Sequence, residues 1–284
     1  MKKVAVTLAN GQLGSRVIKQ LIKRIGKENV IGIARNPEKA TFLNIEIRKG
    51  DYNSTTDFES ALQNIDMLLL ISGVDAPKTR TKQHQNIINA AKKNNVSKIV
   101  FTSVIGNIEN TSFKPILESN RQTEFDIINS NVNWSIGRNS LYIEPDLEYI
   151  ETYKSIGAII NSADTGKCGY TSRSELAKAY TEMLLVNKHN SKIYNLLGKP
   201  ITQQELTDYI NKVYVTNLTY QSIAIEEYLK DRKLALGKHL GTIVGSIYEN
   251  INKGSFDVES DFETVTAMPH KSPLEMIEEF KNTI

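Results

Sequence analysis

Short apolar runs alternate with longer amphipathic stretches over the first half of the chain. Six runs rich in β-branched residues have the spacing of repeated strand–helix–strand units, at residues 4–7, 30–34, 45–48, 67–71, 98–102 and 133–136. Several are almost continuously apolar, as strands covered on both faces of a parallel sheet must be. Between the first two runs, apolar residues at positions 13, 17, 18, 21, 22 and 25 share one helical face. The pattern predicts an α/β fold of Rossmann type, with a doubly wound parallel sheet.

The pattern becomes more helical after about residue 140. Two further strands are predicted at residues 192–197 and 218–220, and two helix starts carry capping signals, at Thr202 and at Ser272 with Pro273 behind it. We therefore predict a Rossmann region over residues 1–140 and a smaller, mostly helical region over 141–284. The two are expected to intertwine in one compact unit, and a homodimer is possible.

Composition and charge exclude several classes of protein. The 284 residues are 40% hydrophobic and 24% charged, as in ordinary globular proteins. The net charge is +3, and no basic run interleaved with aromatic residues predicts nucleic-acid binding. The N-terminus shows no leader pattern and no window has membrane-spanning length, so we expect a cytoplasmic protein without membrane attachment. A single Cys168 and four scattered histidines predict neither a disulfide nor a metal site.

A glycine-containing turn follows the first predicted strand and opens the first helix, where such turns are typical of dinucleotide binding. Gly11 would let backbone amides approach a pyrophosphate, and Gly14 would let the helix pack closely on the strand. An ordinary strand-to-helix turn is the alternative. The candidate contacts in this turn are Thr7, Asn10, Gly11, Gln12, Leu13 and Gly14.

Polar residues follow the other predicted strands at the same edge of the sheet, where open α/β sheets bind ligands. Arg35 ends the second strand, where a cation favours NADP over NAD because it can pair with a 2′-phosphate. The alternative is a solvent-exposed Arg35 followed by Asn36 as a helix N-cap before Pro37. Further candidates end the fourth and fifth strands, and their alternative role is only to terminate strands; they are Ser72, Gly73, Thr102 and Ser103.

The chain resembles the NmrA-like group of atypical short-chain dehydrogenases/reductases, whose bacterial members include NAD(P)H:quinone oxidoreductases and triphenylmethane-dye reductases. The motifs that carry the resemblance stand in the expected order at residues 10–14, 34–40, 50–52, 69–73, 83–86, 101–103, 123–124, 138–142 and 247–254. The family turn reads T-G-A-T-G-x-L-G, and Leu8 stands where its first glycine would be. We expect Leu8 to keep a negative φ because it has a Cβ atom, which leaves open whether it weakens cofactor binding.

The resemblance implies roles for further residues. Asp51 and Tyr52 would contact the adenine, although Asp51 could instead only form a turn. Asn139 and Tyr142 would lie near the nicotinamide and the substrate, which makes them the substrate-side candidates, and Arg173 would reach the cofactor. Asn120 stands where many relatives carry His, which weakens any proposal based on an imidazole. The resemblance thus makes residues 1–140 the dinucleotide-binding region and 141–284 the substrate-side region.

The Tyr-x-x-x-Lys pair of the larger dehydrogenase family is missing, since none of the twelve tyrosines has a lysine four residues later. Chemistry on simple carbonyls or alcohols is therefore not expected. A quinone or a cationic dye accepts hydride into a conjugated system and needs no dedicated acid. The sequence predicts an NADPH-dependent reductase of a quinone or similar conjugated electrophile, with a small-molecule electron acceptor as its partner. The alternatives are a redox-sensing regulator that binds NAD(P) without turnover, or a relative that has lost the cofactor.

Overall fold

A parallel sheet forms the centre of the computed structural model, which describes residues 2–107 and 111–283. Over these residues the strands are β1 (Val4–Val6), β2 (Val30–Ala34), β3 (Glu46–Lys49), β4 (Met67–Ile71), β5 (Lys98–Val104), β6 (Asn133–Asn139), β7 (Ala158–Asn161), β8 (Lys167–Cys168), β9 (Lys192–Leu196), β10 (Ile201–Thr202) and β11 (Thr219–Ser222). Seven of these strands form one sheet in the order β3-β2-β1-β4-β5-β6-β9, and every neighbouring pair is parallel. The strand order reverses at β1 and β4, which places a ligand crevice beside their carboxyl ends.

Helices cover both faces of this sheet. The helices of the described residues are α1 (Gln12–Ile25), α2 (Thr55–Ala61), α3 (Pro77–Lys93), α4 (Lys114–Ile128), α5 (Glu144–Glu148), α6 (Ile150–Ile156), α7 (Arg173–Leu185), α8 (Gln203–Tyr214), α9 (Ile225–Leu236), α10 (Lys238–Asn252), α11 (Phe262–Thr266) and α12 (Pro273–Lys281). Helices α1 and α7 pack on one face of the sheet, and α2, α3 and α4 pack on the other. Each face therefore has its own apolar core, which explains the continuously apolar strands.

A third apolar core lies in the C-terminal part of the chain. It joins α5, α6, α8, α10 and α12 with the two small sheets β10-β8 and β11-β7. The capping boxes predicted at Thr202 and Ser272 are both present, and Pro273 begins the last helix. The strand predicted at residues 218–220 belongs to one of these small sheets, where β11 runs parallel to β7.

The two regions share elements. Strand β9 pairs with β6 in the central sheet, and α7 packs against α1, although both follow residue 140. How the chain divides into domains stays a prediction. Within residues 2–107 and 111–283, no helix combines the length and the apolarity needed to cross a membrane.

Candidate cofactor and substrate site

The turn between β1 and α1 is built around Leu8. Its φ is 50°, in the left-handed region, so the prediction of a negative φ is wrong. Its partly buried side chain packs against the apolar clusters on both faces of the sheet, and these contacts help to offset the strain of the backbone. The Leu8 carbonyl oxygen accepts a hydrogen bond from the Gly11 amide at 2.8 Å, and the Ala9 amide donates to Ile33 O at 3.0 Å. The turn therefore closes without a glycine at position 8.

Gly14 is required by the close approach of the helix to this turn. A Cβ atom at Gly14 would lie 2.4 Å from Leu8 O and 3.2 Å from Thr7 O, both of which are backbone atoms. Gly11 is in extended conformation at the N-cap of α1, and no side chain caps the helix there. The first turn of α1 also carries no acidic residue. Its unpaired N–H groups and the positive end of the helix dipole thus favour an anion at this point.

A cavity of about 380 Å³ lies beside the turn, at the carboxyl ends of β2, β3 and β4. It brings together candidates that are far apart in sequence, and it is lined by Leu8, Asn10, Gly11, Arg35, Asn36, Lys39, Gly50, Asp51, Tyr52, Asn53, Gly73, Val74, Asp75 and Gln83. Six of the predicted cofactor contacts therefore share one concave surface, and they are Asn10, Gly11, Arg35, Asp51, Tyr52 and Gly73. The predicted contacts that do not line it are Thr7, Gln12, Leu13, Gly14, Ser72, Thr102, Ser103, Asn139 and Arg173. The polar lining residues Lys39, Asn53, Asp75 and Gln83 were not among the predicted contacts.

Exposed cations stand at the β2 end of the cavity. Arg35 and Lys39 are exposed, and neither side chain forms an ion pair with a carboxylate of the described residues. Asn36 does not act as the side-chain cap that we expected as an alternative, because the segment after it is a 3-10 helix with no cap hydrogen bond from Asn36. The two cations are therefore free to face a ligand anion.

Side-chain hydrogen bonds hold the β3 end of the cavity together. Asp51 Oδ1 accepts a hydrogen bond from the Asn53 amide at 2.9 Å, which makes Asp51 a turn-forming residue whether or not it also contacts a ligand. Tyr52 Oη lies 2.6 Å from Thr7 Oγ1 and 2.7 Å from Ile71 O. Burial raises the pKa of Tyr52. The hydroxyls of Thr7 and Tyr52 thus connect β1, the turn after β3 and β4.

Side chains of β5 and α3 bind the backbone that follows β4. The Ser72 amide donates to Thr102 Oγ1 of β5 at 2.9 Å, and the Gly73 amide donates to His84 Nε2 of α3 at 3.3 Å. His84 Nδ1 lies 2.9 Å from Thr123 Oγ1. Because burial and then the charge of Arg80 lower the pKa of His84 to about 3, this imidazole is neutral at physiological pH. Nε2 is its acceptor nitrogen and Nδ1 its donor, so His84 fixes the backbone at Gly73.

The substrate-side candidates form a second group, which does not line the cavity described above. Asn139 Nδ2 donates to Tyr142 Oη at 3.1 Å, and Tyr180 Oη donates to Asn139 Oδ1 at 2.5 Å. Arg173 begins α7, and its guanidinium lies 5.6 Å from the centre of the Tyr142 ring. Arg173 also pairs with Glu148 at 3.4 Å. Burial raises the pKa of Tyr142 to about 12, so its hydroxyl stays protonated at neutral pH.

A buried carboxylate on the α4 side of the sheet was not anticipated from the sequence. Glu124 on α4 accepts two hydrogen bonds from Arg138, at 3.0 and 2.6 Å, and one from Arg121 at 2.7 Å. The Ser103 hydroxyl donates to the same carboxylate at 2.6 Å. Burial raises the pKa of Glu124, but the bonds from Arg138 and Ser103 and the charge of Arg121 lower it below its ordinary value. Ser103 and Arg138 are therefore parts of an ion-pair cluster between β5, β6 and α4.

Comparison with known proteins gives similarity over most of the chain. A family model described as NAD(P)H-binding matches residues 9–185. Quinone oxidoreductase 2 of Escherichia coli strain K12 is 32% identical over 229 residues, which are 79% of this chain and 79% of that protein. The structure of Citrobacter sp. triphenylmethane reductase complexed with NADP(H) is 30% identical and covers 99% of this chain and 100% of that one, with a TM-score of 0.89. The Escherichia coli NADPH-dependent quinone oxidoreductase complexed with NADPH is 28% identical, with coverages of 98% and 100% and a TM-score of 0.87.

Proposed function

Because the chain belongs to the NAD(P)H-binding, NmrA-like group of atypical short-chain dehydrogenases/reductases, we propose that it transfers hydride from NADPH to a quinone or a similar conjugated electrophile. The protein is an NAD(P)H-dependent oxidoreductase, and its cofactor is NADP(H). The electron acceptor is a small molecule, and we propose that this molecule is a quinone or a similar conjugated electrophile. The observation that carries the proposal is the joint presence of the turn, the cavity and the unpaired cations at one edge of the sheet.

The residues of the cavity fit this cofactor. Its pyrophosphate would lie on the N-terminus of α1, where Gly11 and Gly14 expose backbone. Its 2′-phosphate would lie at Arg35 and Lys39, and its adenine would lie between Asp51, Tyr52 and Gly73. The nicotinamide would reach the second group, at Asn139 and Tyr142. We assign Arg173 to the same end because its guanidinium lies against the Tyr142 ring.

The side chains on the substrate side orient the reactants, and the reaction does not require any of these side chains to ionise. When bound, NADPH supplies the hydride to a conjugated acceptor that can hold the added charge. Asn139 fixes the Tyr142 hydroxyl by donating to its oxygen, which leaves the hydroxyl proton for an acceptor oxygen. Tyr180 fixes Asn139 in turn. With a pKa of about 12, Tyr142 acts here as a hydrogen-bond donor that orients the acceptor, and water can supply the final proton.

The direct test is oxidation of NADPH by the purified protein in the presence of a simple quinone. We expect absorbance at the reduced nicotinamide band to fall only when quinone and protein are both present, and a chelator to have no effect. A parallel titration without quinone measures NADPH binding. Binding without turnover across a panel of quinones and cationic dyes would instead support the redox-sensing regulator. Absence of binding would contradict both functions.

Arg35 is expected to set the preference for NADPH over NADH. Charge-assisted hydrogen bonds from its guanidinium to the 2′-phosphate contribute roughly 1.5–3 kcal/mol, which corresponds to about a 10- to 100-fold preference. Arg35→Ala should remove most of this preference by weakening NADPH binding and should leave the Kd for NADH nearly unchanged. Titrations at low and high salt should show the wild-type preference shrinking as salt rises, because Arg35 is exposed.

Arg24→Ala is the matched control, since Arg24 is an exposed arginine on α1 that pairs with Glu182 outside the cavity. It should keep the full preference for NADPH. Equal affinity of the wild-type protein for NADH and NADPH at low salt would show that Arg35 does not read the 2′-phosphate.

A further inference from the structure

One acceptor oxygen of a buried side chain at the cavity has no hydrogen-bond partner among the described residues. Gln83 lies on α3, lines the cavity and is 3% exposed. Its Nε2 donates to Asn53 Oδ1 at 3.1 Å and to Asp75 Oδ2 at 2.5 Å. Its Oε1 has no hydrogen-bond partner within the described part of the chain. A buried acceptor without a partner costs about 1–3 kcal/mol, so this atom is expected to meet a donor when the cavity is filled.

The orientation of this amide is determined by its neighbours. A carboxylate only accepts hydrogen bonds, so Asp75 requires the amino end of Gln83 to face it. Asn53 presents its oxygen to Gln83, because its own amide nitrogen donates to Asp51 Oδ1 at 3.1 Å. Rotation of the Gln83 amide by half a turn would bring its oxygen against two acceptors. Oε1 is therefore held as an acceptor that faces away from Asp75 and Asn53.

The space beside Oε1 is shaped by Gly73 and Tyr52. A Cβ atom at Gly73 would lie 3.7 Å from Gln83 Oε1 and 3.7 Å from Tyr52 Cδ2. Gly73 and Tyr52, which both line the cavity, are therefore the neighbours of Oε1 on the side away from Asp75 and Asn53.

We propose that Gln83 Oε1 accepts a hydrogen bond from the 6-amino group of adenine and thereby selects a 6-aminopurine cofactor. The inference rests on the proposed function, which places the adenosine half of NADPH in this cavity. The phosphates of the cofactor offer no donor at neutral pH. In the placement proposed above, its adenosine ribose would lie between the α1 turn and Arg35, so the 6-amino group is the donor that would reach the end of the cavity where Gln83 stands. A 6-oxo purine would place its own acceptor oxygen against Gln83 Oε1. The Gln83 amide could not rotate to correct this mismatch, because Asp75 and Asn53 fix its orientation.

Binding of two cofactors that differ only at this group tests the proposal. The probes are NADPH and the reduced nicotinamide hypoxanthine dinucleotide phosphate, in which an oxygen replaces the 6-amino group. Dissociation constants are measured by nicotinamide fluorescence without any electron acceptor. We expect the wild-type protein to prefer NADPH by about 10- to 100-fold. Equal affinities for the two would overturn the proposal while leaving the proposed function intact, whereas failure of both to bind would contradict the proposed function itself.

Gln83→Met assigns the preference to this side chain, because methionine has a similar length and no hydrogen-bonding oxygen. We expect Gln83→Met to weaken NADPH binding and to leave the affinity for the hypoxanthine cofactor unchanged or higher. The preference for NADPH should therefore fall to less than about threefold. Gln85→Met is the matched control, since Gln85 is exposed on the same helix and its amide donates to Asp126. It should retain the wild-type preference. If Gln83→Met also retained it, Gln83 would not be the residue that reads the base.

Discussion

Gly14→Ala is expected to abolish measurable NADPH binding, with a loss of at least about 100-fold in affinity. The new methyl group would lie 2.4 Å from Leu8 O, and a shift of about 1 Å is needed to restore ordinary contact. The atoms that this methyl group would meet belong to the backbone of Leu8 and Thr7, so the turn and the N-terminus of α1 must move apart. That movement separates the amides that would bind the pyrophosphate, and charge-assisted hydrogen bonds are lost together.

The measurement is a fluorescence titration with NADPH, accompanied by circular dichroism and thermal denaturation to establish that the variant is folded. Ser15→Ala is the control, because Ser15 is the next residue of α1 and its hydroxyl donates only weakly, at 3.4 Å, to Gln12 O. It should bind NADPH as the wild type does. A folded Gly14→Ala protein with unchanged affinity would show that the pyrophosphate does not lie on this turn.

The central sheet was predictable from sequence because burial on both faces leaves continuous apolar runs. Predicted and observed strands agree closely at residues 30–34 and 67–71, and β3 is shifted by one residue. Strands β8 and β10 have two residues each and pair with one another outside the central sheet. Such short strands have no period to detect, and they exist because the third apolar core brings them together.

Leu8 shows where a local rule failed. Sequence reasoning gave it a negative φ, since a Cβ atom disfavours the left-handed region by about 1 kcal/mol or more. The structure has it at positive φ with its partly buried side chain packed against the apolar clusters on both faces of the sheet, and those contacts involve residues from distant parts of the chain. A family glycine can thus be replaced where packing compensates for the strain.

The candidate site was predictable where its residues belong to the glycine-containing turn or stand just after a strand. Arg35, Asp51 and Gly73 each lie one or two residues after the end of a strand, and all three line the cavity. Gln83 lies inside α3, where nothing in the sequence shows which face of the helix meets the cavity. The pairing of Arg138 with Glu124 could not be seen either, because the parallel register of β5 and β6 is what sets Arg138 beside Ser103 and above α4.

Glu124→Gln is expected to destabilise the protein by about 3–5 kcal/mol, because it leaves two partly buried arginines without their shared counter-charge. The side chain of Glu124 is 5% exposed, against 20% for Arg121 and 28% for Arg138, so solvent screens the cluster poorly. Glutamine keeps the shape of the side chain but can accept with only one oxygen. Chemical denaturation at pH 7 measures the difference in the free energy of unfolding.

The control and the pH dependence distinguish this charge effect from a general packing defect. Glu118→Gln changes an exposed carboxylate of the same helix that lies 3.7 Å from Lys114, and it should cost less than about 0.5 kcal/mol. Since the folded protein lowers the pKa of Glu124 from 4.5, the stabilising effect of its ionised carboxylate is complete above pH 4.5 and is lost as the pH falls below it. The difference in the free energy of unfolding between wild type and Glu124→Gln should therefore be constant from pH 7 to 5 and should become smaller in more acidic solution. A gap below about 1 kcal/mol at pH 7, or one that does not change with acidity, would mean that the two arginines do not depend on this carboxylate.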